Sequence, residues 1–269
     1  MTRQDSHTYQ RIEPLEATTQ LISLVIPIYN EGDHLQEFLE RIDSLKLEVE
    51  KELIIIDDCS KDNSLEIIKN FPFKSSYKLI EKKINEGKGS AIRTGFDQAT
   101  GTIIGVQDAD FEYDINDLSI VLEPILSGAA DVVYGSRYKN SLLVHRTFHY
   151  LVNRILTMFS NLASGLFLSD METCYKFFKA DIIKSMVLES QRFGFEPEVT
   201  AKIGKLKLRI AEVPISYFPR NYIEGKKITW KDGIAAVGHI IRYNYFTSWD
   251  KSFKKSLPDK YIPRSHHWL

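Results

Sequence analysis

An apolar run, Thr102–Val106, leads directly into Gln107-Asp108-Ala109-Asp110-Phe111-Glu112. A short run of this kind has the length of a buried strand, so the carboxylates fall at its carboxyl end. Asp108 and Asp110 are two apart, and on an extended chain such side chains project to the same side. Neighbouring carboxylates repel each other unless a cation sits between them. Hard divalent ions take oxygen ligands and keep positions open for substrate phosphates. The spacing points to an enzyme that uses a metal ion to hold a diphosphate.

The elements that must position these groups follow from periodicity. Leu21–Ile28, Leu53–Ile56, Tyr77–Glu81, Thr102–Val106 and Asp131–Tyr134 read as strands. Leu35, Phe38, Leu39, Ile42 and Leu45 keep helical spacing, and Leu65–Phe71, Gly87–Ala99 and Leu118–Leu126 read as further helices. This alternation predicts an α/β fold, a mostly parallel sheet with helices on both faces. Such sheets bind ligands beyond the carboxyl ends of their strands. The chemically unusual residues gather there: Tyr29-Asn30-Glu31, Asp57-Asp58, Gln107–Glu112 and Gly135-Ser136-Arg137.

Beyond that point His145–Phe167 forms one long helical pattern, with Phe148, Leu151, Val152, Ile155, Leu156, Phe159 and Leu162 as its apolar stripe. Ser169–Lys179 (SDMETCYKFFK) follows, then a helix near Asp181–Leu188, another pattern over Phe193–Ile203, and a strand over Leu208–Tyr217. Asn221–Lys227 is a polar, basic loop, Trp230–Phe246 a helix mixing apolar and basic residues, and Trp249–Leu269 a basic, aromatic tail without period. The expected organisation is a lead-in over 1–20 and a main domain over 21–228. That domain divides into a nucleotide half, 21–138, and an acceptor half, 139–228, before a terminal helix and tail over 229–269.

Composition narrows the function classes. With 269 residues, 43% of them hydrophobic, a sizeable core is expected. A net charge of −1 argues against a general nucleic-acid binder, which must neutralise phosphates. Cys59 and Cys174 form no CxxC pair, which disfavours a zinc site or disulfide framework and fits a reduced cytoplasmic setting. Met1–Gln20 is polar and does not read as a secretory signal. No segment offers the roughly 20 apolar residues of a spanning helix, so a soluble or peripheral protein is expected.

Three further motifs could hold a nucleotide. Pro27 should close the first strand, since it cannot donate to a ladder; Tyr29 then offers a ring for a base, and Asn30 and Glu31 offer polar groups. Asp57-Asp58-Cys59-Ser60 offers a carboxylate to a uracil or guanine N–H, although Ser60 and Asp62 are also good helix caps. Asn85-Glu86-Gly87-Lys88-Gly89 precedes a helix, where glycine lets backbone approach a ligand and the helix start favours anions. It matches neither a Walker loop nor GxGxxG, since position 92 is Ile, so a nicotinamide enzyme is disfavoured.

Taken in order, PIYNE, DDCS, NEGKGSAIRTG, DAD and GSRY resemble the family 2 glycosyltransferases, from Ser23 to about Gly225. The nearest branch is that of the dolichyl-phosphate mannosyltransferases and polyprenyl-phosphate glycosyltransferases. The resemblance implies the GT-A (Rossmann-like) fold and an inverting transfer from a nucleotide sugar. It places Pro27, Tyr29, Glu31 and Asp58 on the nucleotide, with Asp57, Gly87 and Lys88 beside them. Asp108 and Asp110 would take Mg²⁺ or Mn²⁺, with Glu112 as a further oxygen where the branch often has Gln. Arg137 would meet the acceptor phosphate, helped by Arg146, His149 or Arg154. Asp170–Phe177 (DMETCYKF) resembles the branch's D-x-x-[ST]-G-F segment, with Cys174 in place of Gly. Arg220, Lys226 and Lys227 would close over the phosphates.

The acceptor sets the remaining chemistry. A polyprenyl phosphate is already an anion and needs cations rather than a base. A sugar hydroxyl needs a carboxylate base, for which Asp170, Glu172, Glu196 and Glu198 are candidates. Arg137, Arg146 and Arg154 flank an apolar, aromatic helix, which favours the lipid phosphate and a peripheral place on the cytosolic membrane face. The alternatives are transfer to a hydroxyl of a surface glycan, an inactive nucleotide-binding or scaffold protein, and a nucleotidyltransferase. Nothing chooses between UDP- and GDP-linked donors or names the sugar.

Overall fold

The computed structural model of the chain describes residues 7–11, 20–139, 148–192, 194–218 and 230–264. Its strands are β1 (His7–Arg11), β2 (Leu21–Ile28), β3 (Glu50–Asp57), β4 (Ser76–Glu81), β5 (Ile103–Val106), β6 (Val132–Ser136), β7 (Lys176–Lys179) and β8 (Ile210–Pro214). They form one sheet in the order β1-β4-β3-β2-β5-β7-β6-β8. β4, β3, β2 and β5 pair in parallel, as do β6 and β8. β7 runs antiparallel between β5 and β6, and β1 runs antiparallel on the outer edge of β4. The carboxyl ends of six strands and the amino end of β7 therefore share one rim.

The chain steps outward from β2 to β3 to β4, then returns to place β5 on the other side of β2. Right-handed crossovers put helices α1 (Gly32–Ser44) and α2 (Ser64–Asn70) on one face and the returning helix α3 (Lys88–Gln98) on the other. α1 touches α2, and α3 lies across β2 and β3. A Cβ on Gly95 would come within 2.3 Å of Val25, so glycine permits that approach. The reversal makes the gap between β2 and β5 the switch point of the sheet. Pairing with β5 stops at Val25–Val106, whereas β2 continues beside β3 to Ile28–Asp57. Pro27 thus lies inside the strand, and the ladder ends before it only on the β5 side. The central strands are buried on both faces, and burying each such aliphatic side chain contributes about 1.5–3 kcal/mol.

Several expectations change. The lead-in contains a strand, β1. SDMETCYKFFK contains β7, hidden from periodicity because a buried lysine opens it: the Lys176 ammonium donates to the carbonyls of Met171 and Thr173. The long helical pattern becomes α5 (Phe148–Ser164), stopped by Gly165 at φ 73°, a left-handed helix end suited to glycine. The helix near 181–188 shortens to α6 (Ala180–Ile183), because the chain turns to bond the C-terminal segment through Val187–Ser252 and Lys254–Ser185. That segment packs inward: Phe253, Leu257 and Tyr261 are buried in the main core.

The remaining helices are α4 (Leu118–Leu126), α7 (Phe195–Gly204), α8 (Trp230–Tyr245) and α9 (Trp249–Ser252), and α5, α7 and α8 pack together. The α5 stripe divides. Leu156 is buried against Ala236 and Ile240 of α8, with Val152 and Phe159 beside them. Leu151, Ile155, Met158 and Leu162 instead form an exposed row, and α8 carries another in Ile234, Val237, Ile241 and Tyr245.

Candidate functional site

At the end of β3, Asp57 turns inward. Its Oδ2 accepts from the Ser60 amide at 3.1 Å, while its Oδ1 is buried without a partner. Burial raises its pKa above the usual carboxylate range. Asp58 points toward the next loop. It accepts from the amides of Glu86 (3.2 Å) and Gly87 (2.7 Å) and pairs with the Lys82 ammonium at 2.8 Å. Lys82 also reaches Glu86 and Ser90. The Asp58 carboxylate thus shapes the Glu86–Gly89 turn, and Lys82, which motif reading passed over, fixes it.

That turn is packed rather than open. The amides of Gly89 and Ser90, in the first turn of α3, donate to the carbonyls of Arg192 and Gln191 at 3.0 and 2.9 Å. A Cβ on Gly87, at φ 90°, would lie 2.9 Å from the Arg192 side chain. Gly87 and Gly89 are therefore required by close contact with residues 190–192, which corrects the expected anion cradle. What α3 does present to the rim is Lys88, whose ammonium lies 2.8 Å from Asp108 Oδ2. Burial opposes its charge, but Asp108 together with Cys174 and Glu196 outweighs that and holds the pKa well above normal.

The loop after β5 is held from three sides. Asp110 Oδ1 accepts from the Glu112 amide at 3.1 Å, and the Gln107 side chain accepts from the Tyr175 hydroxyl at 2.6 Å. Phe111 adopts φ 56°, packed at 6.0 Å on Phe38 of α1 and under the Arg41 guanidinium. Asn30 and Cys59, at φ 53° and 64°, complete a set of left-handed non-glycine residues at the ends of β2, β3 and β5. Such strain clusters at functional rims. Asn30 is spent on structure: its amide donates to Ser60, and its Oδ1 accepts from Lys61. Glu31 and Gly32 donate to Ser64 and Asp62, so the second loop caps α1. Tyr29 and Glu31 are half-buried beside them.

Among the described residues, no group of three His, Cys, Asp or Glu side chains could hold a metal ion. Asp108, Asp110 and Glu112 therefore do not make a closed three-carboxylate cage. The cation beside Asp108 is the Lys88 ammonium, which answers the repulsion inferred from the sequence. Two carboxylates still fit a hard ion that retains water and phosphate oxygens, as Mg²⁺ does.

In the expected acceptor half, Arg137 and Asp170 meet. Asp170 is fully buried and accepts from the Arg137 amide (3.0 Å), Nε (2.7 Å) and Nη2 (2.7 Å). The guanidinium lies 5.3 Å from the Tyr138 ring and 5.2 Å from that of Tyr217. Neither expected role is free: Arg137 is not an open phosphate clamp and Asp170 not an open base. Glu198 is likewise paired, with fully buried Lys202 at 2.5 Å. Glu196 accepts from the Cys174 thiol at 3.6 Å. Arg154 is exposed and donates to the Ser169 carbonyl at 2.7 Å. Phe218, the last described residue before the basic loop, donates to the Glu112 carbonyl at 2.8 Å. Arg146, Arg220, Lys226 and Lys227 lie outside the described residues.

Comparison with known proteins bears on the family and the fold. Dolichol-phosphate mannosyltransferase of Pyrococcus furiosus is 28% identical over 209 residues, covering 76% of this chain and 58% of that protein. Dolichyl-phosphate beta-glucosyltransferase ALG5D of Trichomonas vaginalis is 27% identical, covering 86% of this chain and 77% of that protein. Undecaprenyl-phosphate 4-deoxy-4-formamido-L-arabinose transferase of Edwardsiella ictaluri is 27% identical, covering 78% of this chain and 63% of that protein. The chain thus spans less than two thirds of the first and third. Among solved structures, glucosyl-3-phosphoglycerate synthase of Mycobacterium tuberculosis, crystallised with Mn²⁺, UDP-glucose and glycerol 3-phosphate, superposes with a TM-score of 0.62. At 16% identity, over 84% of this chain and 80% of that one, the likeness shows a shared GT-A fold. The model of glycosyl transferase family 2 matches residues 23–186. A match over more than half of its length, on a sheet of this order, shows that the chain belongs to glycosyl transferase family 2.

Proposed function

We propose that the protein transfers a sugar, with inversion and with a divalent metal ion, from a nucleoside diphosphate sugar to a polyprenyl phosphate. One observation carries this reading: an ammonium and a carboxylate, Lys88 and Asp108, stand 2.8 Å apart beyond the switch point between β2 and β5. That crevice is where an open α/β sheet takes a nucleotide. The relatives named for dolichyl and undecaprenyl phosphates support the acceptor class.

Asp108 and Asp110 would hold Mg²⁺ or Mn²⁺, with Glu112 available through water. When bound, the ion would neutralise the diphosphate and stabilise it as a leaving group. Tyr29 and Glu31 line the nucleotide end of the rim, while buried Asp57 braces the turn at Ser60. Asp58 acts one step back, by fixing the turn that aims Lys88 at the phosphates. Arg220 and Lys226 would add positive charge, and Phe218, two residues before Arg220, is tied to Glu112. Arg137 and Asp170 set the floor of the acceptor half as a neutral pair.

No described helix is long and apolar enough to cross a membrane. The exposed rows on α5 and α8, with Phe167 and Phe246 at 98% and 79% exposure, suit a peripheral seat on the cytosolic membrane face. The test is a screen of UDP- and GDP-sugars for release of nucleoside diphosphate with Mg²⁺ or Mn²⁺, with and without polyprenyl phosphate. Acceptor-stimulated, chelator-sensitive release is expected. Equal release with EDTA, or transfer to sugar hydroxyls alone, would overturn the reading.

A further inference from the structure

Of the four carboxylates able to face an acceptor, three are engaged. Asp170 is locked to Arg137, Glu198 to Lys202, and Glu196 receives the Cys174 thiol. Glu172 differs: its Oε1 is buried without a partner, and the neighbouring Thr173 Oγ1 is buried and partnerless as well. The residue is only half-buried, so the side chain also meets solvent. Its segment joins the two halves of the rim. The Met171 amide donates to Thr157 of α5, and the Cys174 amide to the Tyr113 hydroxyl beyond β5.

We propose that Glu172 is the residue that receives the acceptor, donating a hydrogen bond from its carboxyl group to a phosphate oxygen that does not attack. The proposal rests on the phosphate reading of the acceptor. The attacking phosphate oxygen forms its bond to the anomeric carbon as the bond to the nucleoside diphosphate breaks. The electron pair departs with the diphosphate, and Glu172 keeps its proton throughout. The charged groups around it are Glu196 from α7, Lys176 from β7, Arg137 after β6, and Asp170 on its own segment. Burial first, then the Glu196 carboxylate, push its pKa up to about 8, against the opposing pull of Lys176 and Arg137. Below that value the group is a donor, whereas ionised it would repel a phosphate.

The experiment is steady-state transfer to a short-chain polyprenyl phosphate by wild type, Glu172→Gln and Glu172→Ala, from pH 6 to 10, with a thermal melt of each. In wild type the acceptor KM should climb above about pH 8. Gln donates without titrating, so kcat should stay within about threefold and the alkaline climb should vanish. Ala removes one hydrogen bond to a charged group, so acceptor KM should rise about 10- to 100-fold with donor KM unchanged. Two results overturn the proposal alone: a wild-type climb that persists in Glu172→Gln, or turnover lost in Glu172→Gln with an unchanged melt. The second would make Glu172 a base. Wild-type transfer to hydroxyls but to no phosphate would instead overturn the function reading beneath it.

Discussion

Replacing Asp170 by Asn tests whether the Arg137 pair is a structural floor or part of the chemistry. The change keeps size and one acceptor oxygen but removes the charge. Arg137 is 8% exposed and its guanidinium makes two bonds of 2.7 Å to this one carboxylate. Breaking a buried pair from one side costs about 3–5 kcal/mol, because the remaining charge is left uncompensated. Domains are stable by only about 5–15 kcal/mol, so a large share would go. At about 2–4 °C per kcal/mol for a domain approaching this size, the melt should drop by about 6–20 °C. Calorimetry and urea unfolding, each with and without UDP and Mn²⁺, would measure it. The double variant Arg137→Met/Asp170→Leu should unfold less readily than Asp170→Asn, since it buries no lone charge. Were Asp170→Asn to melt within about 2 °C of wild type yet lose all turnover, Asp170 would be a reacting group and the assignment wrong.

Other perturbations should act as follows. Lys88→Met removes a charge-assisted bond to the donor diphosphate, worth about 1.5–3 kcal/mol. UDP affinity should fall about 10- to 100-fold by calorimetry, while Mn²⁺ binding without nucleotide, read by electron paramagnetic resonance, should tighten as Asp108 is released; unchanged UDP affinity would refute the role. Burial opposes the charge of Asp131, but Arg209 and Lys179 hold its carboxyl well below its usual pKa. The stability this adds is present above the unfolded value of about 3.9 and lost as pH falls through the folded one; the gap in urea midpoint between wild type and Asp131→Asn should therefore narrow below about pH 4. A Cβ on Gly105 would lie 2.0 Å from the Phe177 ring, and Gly105→Ala should cost about 1–3 kcal/mol by overpacking, measured as a lowered urea midpoint. Changing Leu151, Ile155 and Leu162 together to Ser should leave the melt within about 2 °C, since all three are exposed, but reduce sedimentation with anionic lipid vesicles; undiminished sedimentation would remove the membrane seat.

The donor half was readable because its information is local. Runs such as Leu53–Ile56 are apolar over a strand length and close on turn residues, so strand, turn and helix could be placed one after another. The aspartates fell at the rim for the same reason. What stayed hidden depends on contacts remote in sequence. Arg137 and Asp170 are 33 residues apart, and each alone looks like a free charged group. The glycines of NEGKG resemble a phosphate turn until the carbonyls of 190–192, a hundred residues on, are found against them. β7 was obscured because Lys176 looks solvent-facing, and only its carbonyl partners explain its burial. The tail at 249–264 lacks period because its aromatic residues fill gaps in a core built by other elements.

The reversed direction of β7 has an evolutionary reading. Its preceding residues arrive at the rim as others depart from it, so under the proposed function the segment that would reach the acceptor hangs on a strand separate from those that would grip the donor. Within that segment, the half-buried Glu172 can be exchanged without disturbing the parallel strands, whereas Asp170 and Tyr175 are tied to Arg137 after β6 and to Gln107 after β5. If the protein acts as proposed, a lineage could exchange one sugar recipient for another through this inlet while keeping the rest of the rim intact.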